Sequence, residues 1–143
     1  MNYTPYSQND IRWGWKKLGN SNLTIYNYGC FLTCLSMMVG KRPDEVNEIL
    51  KEAGAFSGAN IISAKAAKAL GLQYLGKETN INNMPDWSPS IKEVDYNLKL
   101  GGVQQHFVLR LDENGVKSIL DPWGGKKRTL NYYKFASYRK FKK

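Results

Sequence analysis

Two thiols, Cys30 and Cys34, a single imidazole, His106, and the carboxylate of Asp121 are the residues of this chain whose types could together carry covalent chemistry. A thiol attacks a carbonyl as its thiolate, and a cysteine in the first turn of a helix meets free backbone N–H groups and the positive end of the dipole, which favour the anion. Cys30 has that position. It follows Gly29 at the head of GCFLTCLSMMVG, a glycine-bracketed stretch that is apolar on nearly every side. The thiol also needs a base, and His106 is the chain's sole histidine.

His106 opens the strand-like segment HFVLRL, in which Phe107, Leu109 and Leu111 alternate with His106, Val108 and Arg110. The histidine therefore belongs to the face opposite the most apolar one. The segment runs through DENG into VKSILDPW. A four-residue loop from Asp112 to Gly115 pairs Leu111 with Val116 and sets His106 directly opposite Asp121. A two-residue turn at Asn114 and Gly115 sets Asp121 diagonally from His106, on the same face because the shift is even. Either register brings a carboxylate to the only imidazole, where it would fix the ring's tautomer and stabilise the imidazolium formed when the thiol gives up its proton.

The elements that position these groups can be read from punctuation and periodicity. Residues 1 to 28 form a polar and aromatic arm, with one turn of helix expected around Ile11 to Leu18. A buried helix spans Gly29 to Gly40 and carries Cys30. A second helix starts at Pro43, with Asp44 and Glu45 at its positive end and Val46, Ile49, Leu50 and Ala53 as its stripe, and closes at Gly54. A third is expected from Asn60 as N-cap to Leu70, with Gly71 as its stop. The pattern then turns alternating. Strands are expected at Leu72 to Gly76, Ser90 to Tyr96, His106 to Leu111, Val116 to Leu120 and Tyr132 to Phe141. Helices followed by strands read as an α+β fold, helices packed on an antiparallel sheet, in a single domain over 1–143.

Several segments resemble the papain-like cysteine peptidases, and among them the bacterial and phage group that includes the double-glycine leader peptidases of bacteriocin exporters. QNDIRWGWKKLG resembles the group's N-terminal Gln-x-Asp-x-Arg-Trp stretch, YGCFLTCLSMMVG its nucleophile helix, PSIKEVDY its first central strand, and HFVLRLD with DPWGG its His and Asp strands. The resemblance implies a papain-like fold with Cys30 as nucleophile, His106 as general base and acid, and Asp121 orienting the ring. It also implies Gln8 as side-chain donor of an oxyanion hole, beside the N–H of Cys30. Two departures stand out. Phe31 and Leu32 follow the cysteine where the family often has Gly and Pro, and Gln8 lies 22 residues ahead of Cys30, leaving Asn22 and Asn27 as alternative donors.

The implied activity is hydrolysis of a peptide bond through an acyl-enzyme, without cofactor or metal. Bacterial cell-wall peptide is the favoured substrate. A leader- or protein-processing peptidase and a non-catalytic, peptidase-like binding module are the alternatives. A metal site built from Cys30, Cys34, His106 and Asp121 is disfavoured, because two thiols four apart on a buried helix chelate poorly. Cys34 reads as core packing, with a resolving thiol for Cys30 as its other reading. Trp123, Tyr28 and Trp13 are candidates for lining a substrate groove. The net charge of +9 favours acidic partners such as wall polymers, while no nucleic-acid signature accompanies it. With 42% hydrophobic residues and no long apolar run, one core and no membrane span are expected. MNYTPYSQND shows no secretory signal, so the chain reads as cytoplasmic as synthesised, acting at a wall if another protein exports or releases it. Its oligomeric state is not legible.

Overall fold

Glycines fix where the thiol-bearing helix begins and ends. In the computed structural model, which describes residues 3–95 and 105–143, helix α1 (Ile25–Tyr28) is one turn whose N-cap, Thr24, accepts the Asn27 N–H through Oγ1 at 3.3 Å. Gly29 closes α1 and opens α2 (Cys30–Val39). A Cβ on Gly29 would stand 2.5 Å from the Ile25 carbonyl oxygen, so no larger residue fits this junction undisturbed. At the far end Gly40 takes the left-handed conformation, φ 70°, and stops the helix. Leu32 to Met38 are all buried, and the two polar members satisfy themselves locally: Thr33 Oγ1 donates to Gly29 O at 2.7 Å and Ser36 Oγ to Leu32 O at 2.8 Å.

Helix α3 (Pro43–Glu52) starts on its proline, as expected. The hairpin β1 (Phe56–Ser57) and β2 (Asn60–Ile61) was not expected, and it corrects the third helix. Asn60 is a strand residue there, and α4 (Ser63–Leu70) begins three residues later, after Ile62, and stops at Gly71. The turn of helix expected around Ile11 to Leu18 is a set of hydrogen-bonded turns instead, including Gly14 N–H to Asp10 O at 2.7 Å.

The remaining strands are β3 (Gln73–Glu78), β4 (Ser90–Asp95), β5 (Gln105–Glu113), β6 (Val116–Asp121), β7 (Lys126–Thr129) and β8 (Lys134–Lys142). They form one six-stranded sheet in the order β3-β8-β4-β5-β6-β7, every neighbour antiparallel. The expected end of β4 at Tyr96 lies outside the described residues. Helix α2 packs on β5, and the core between helices and sheet includes Leu32, Leu35, Leu109, Leu120 and Phe141. Each such side chain contributes roughly 1.5–3 kcal/mol by leaving water. The opposite face carries a smaller cluster of Val94, Val108 and Ile119, with Leu130 and Tyr133 against it. Mixed helix with an antiparallel sheet is the α+β arrangement.

The β5–β6 connection settles the register. Glu113 pairs with Val116 and Leu109 with Leu120, around a two-residue turn in which Asn114 (φ 55°) and Gly115 (φ 81°) are both left-handed. Asp121 thus falls one position beyond Leu120, diagonal to His106 on the same face.

Candidate active site

Cys30, the first residue of α2, His106, near the start of β5, and Asp121, the last residue of β6, meet at one end of the sheet. His106 Nε2 lies 2.7 Å from Asp121 Oδ1. A carboxylate accepts, so Nε2 carries the hydrogen, which leaves Nδ1 for the hydrogen bond that joins the ring to Cys30. Burial favours the neutral ring. Hydrogen bonds to Asp121 and Cys30, with their charges, outweigh it and push the His106 pKa up to about 9. An imidazolium is therefore at home between these partners.

Asp121 is wholly buried and its carboxylate is saturated by donors. Oδ1 also accepts the Trp123 N–H at 3.0 Å, while Oδ2 accepts Arg128 Nε–H at 2.8 Å and the Tyr133 hydroxyl. Burial would raise this carboxyl, but the hydrogen bonds from His106 and Tyr133 hold it below its ordinary value. Burial and the bond to Asp121 in turn keep Tyr133 protonated to unusually high pH. Tyr133 also sets its ring edge-on to the imidazole, centroids 5.5 Å apart. Sequence reasoning assigns neither Arg128 nor Tyr133 a place at the site. Their only signal in the sequence is the basic and aromatic run from Lys126 to Tyr133, which does not say that two members converge on one carboxylate.

The loop after Asp121 clamps the N-terminal arm. Gln8 N–H donates to Pro122 O at 2.9 Å, and Gly124 N–H donates to Asn9 Oδ1 at 2.9 Å. Gly125 packs so closely that a Cβ would lie 2.5 Å from Pro5 O. This clamp seats Gln8, which is buried, in the wall of a cleft of about 730 Å³ that Cys30 and His106 also line. Gln8 Nε2 donates to Tyr26 O at 3.0 Å, and Oε1 has no partner among the described residues. Of the alternative donors, Asn27 lines the cleft and Asn22 does not.

Trp123, 39% exposed, and Tyr28, 56% exposed, line the cleft as expected of groove residues. Trp13 does not, and its expected place in the groove is corrected. It is 1% exposed, its indole N–H donates to Ser7 O at 2.7 Å, and Tyr6 packs edge-on against it. The arm folds back over this ring, which makes it core. Cys34 is fully buried, and burial first, then the neighbouring Cys30, pushes its thiol well above the ordinary range. Both cysteines are free. Among the described residues no group of three or more His, Cys, Asp or Glu side chains is placed to hold a metal ion, and no helix is long and apolar enough to cross a membrane. No family model, no curated protein and no solved structure matches the chain.

Proposed function

We propose that the chain is a cysteine peptidase or amidase of the papain-like kind, working through Cys30, His106 and Asp121. The observation that carries this reading is His106 held between Cys30 and Asp121 on the wall of an open cleft. In the first half-reaction Cys30 Sγ, its proton passed to His106, attacks the carbonyl carbon of the scissile bond. The oxyanion that forms is met by the Cys30 N–H and by the Gln8 amide, whose second Nε2–H makes no hydrogen bond among the described residues. The C–N bond then breaks, His106 returns the proton to the leaving amine, and a thioester remains. Water, deprotonated by His106, attacks the thioester, releasing the acid and restoring the thiol.

Asp121 serves by holding Nε2–H, so that Nδ1 is the nitrogen that receives and returns protons. For substrate we favour bacterial cell-wall peptide, since a net charge of +9 suits an anionic wall polymer. The test is incubation of purified bacterial cell walls with the protein and with its Cys30→Ala variant. Release of new amino groups by the first and not the second is expected. Equal release by both, or none by either, would defeat the wall-peptidase reading.

A further inference from the structure

The cleft presents one permanently charged side chain among the described residues, Arg139 of β8. The rest of its polar lining is the thiol, the imidazole, the Tyr28 hydroxyl, the Trp123 indole and the neutral amides of Gln8, Asn27, Asn60 and Gln105. Arg139 is anchored from behind. Its Nη2 donates to Glu93 Oε1 at 2.8 Å, its Nε leans on Ser137 Oγ at 3.4 Å, and its guanidinium carbon lies 5.3 Å from the centre of the Phe107 ring. Phe107 is the neighbour of His106, so the cation stands beside the strand that carries the base.

Glu93 does not line the cleft, and its oxygens are committed elsewhere as well. Ser137 Oγ donates to Oε1 at 2.5 Å and Gln105 Nε2 to Oε2 at 2.8 Å. The carboxylate fixes the guanidinium, whose side chain keeps 18% of its surface exposed, and Nη1 donates no hydrogen bond among the described residues. A half-buried guanidinium, already oriented and with N–H groups to spare, matches the planar, two-oxygen geometry of a carboxylate. The excess of basic residues over the whole chain favours the approach of such a ligand.

We propose that Arg139 is a carboxylate anchor, and that the cleft selects peptides carrying an acidic side chain close to the bond at Cys30. The proposal rests on the cleft being a peptide site, and it names the class of peptide. A charge-assisted contact here corresponds to about 10- to 100-fold in affinity between an acid and its amide.

The experiment measures binding, so that it does not depend on turnover. Cys30→Ala protein is titrated calorimetrically with acetylated, amidated alanine pentapeptides in which each position in turn is glutamate or glutamine. At one position glutamate should bind about 10- to 100-fold more tightly than glutamine, with a preference that weakens as salt is added. In the Arg139→Gln background that preference should vanish, and Arg139→Lys should restore part of it. Because Arg139→Gln strands Glu93, the pair variant Glu93→Gln/Arg139→Gln is made alongside, and it should keep the thermal midpoint and also lack the preference. Equal binding of acid and amide at every position, no binding at all, or a preference that survives Arg139→Gln would overturn the assignment. A glutamate preference in a protein that hydrolyses no peptide would leave the anchor standing and remove the peptidase reading alone.

Discussion

Replacing Asp121 by asparagine keeps the size of the side chain and removes the charge that faces His106. The wild-type ring has been moved from 6.5 to about 9, against burial, by its hydrogen bonds and charged neighbours. At about 1.4 kcal/mol per pH unit this amounts to about 3 kcal/mol in favour of the imidazolium. Without the carboxylate, burial acts against the bond to Cys30 alone, and the ring should titrate at or below its ordinary value.

The tautomer should change as well. Four donors converge on Asp121, from His106, Trp123, Arg128 and Tyr133, and an amide offers them one acceptor atom in place of two. The charged Arg128 claims the amide oxygen at the cost of the Trp123 N–H, which loses its acceptor; the amide NH2 then faces Nε2 and puts the ring's hydrogen on Nδ1. That nitrogen can no longer take the Cys30 proton. With a single histidine in the chain, isotope-labelled imidazole gives one NMR signal to follow across pH. The wild-type midpoint should lie near 9 and the variant's at 6.5 or lower, while the iodoacetamide reaction of Cys30 at neutral pH slows at least about tenfold. A variant that still titrates near 9, or a wild-type ring that titrates near 6.5, would refute the role given to the carboxylate.

Four further outcomes are expected. Since the folded pKa of His106 lies above the unfolded one, its contribution is full below 6.5 and lost as pH rises through about 9. Urea denaturation should show the stability difference between wild type and His106→Gln shrinking by about 3 kcal/mol across that window. Lys92 is buried and donates to Leu130 O, and burial, then the charge of Arg110, pushes it down to about 8. Below that value it costs stability, which returns between about 8 and 10.5. Lys92→Met should therefore raise the neutral-pH unfolding free energy by about 1–2 kcal/mol, and a loss would contradict this. Gly125→Ala should cost about 1–3 kcal/mol by thermal melting and displace Gln8. Gly124→Ala, which meets only the Lys126 side chain at 3.4 Å, should cost less. Iodoacetamide should label Cys30 in the native protein and Cys34 only after unfolding, as mass spectrometry would show.

Much of this was readable from residue types because the signals were local. Gly29, Gly40, Pro43 and Gly71 are punctuation whose conformational reasons do not depend on the rest of the fold, and all four stand at helix limits. The DENG stretch allowed two loops, both with Asp121 on the face of His106, and the structure takes the two-residue one at Asn114 and Gly115. What could not be read depends on tertiary partners. Asn60 has the chemistry of an N-cap, yet pairing with Ser57 takes its backbone into β2. The strand β7 is Lys-Lys-Arg-Thr, without apolar alternation, and exists because it pairs with β6 at the sheet edge. Trp13, Trp15 and Trp123 have similar neighbours in sequence, but only the folding back of the arm decides that the first is buried and the other two exposed. The donors on Asp121 Oδ2 come from the edge strand and the segment beyond it, so their convergence is a property of the assembled sheet.

The bond from Gly124 to Asn9 joins positions 115 residues apart, so the site cannot be assembled until the segment beyond Asp121 has been made. As the chain is synthesised the thiol of Cys30 appears early, roughly ninety residues before Asp121. At about 5–20 residues per second it spends several seconds with neither its imidazole nor its carboxylate in place. Over that interval Cys30 is an ordinary thiol, without the imidazole and carboxylate that the assembled site sets beside it.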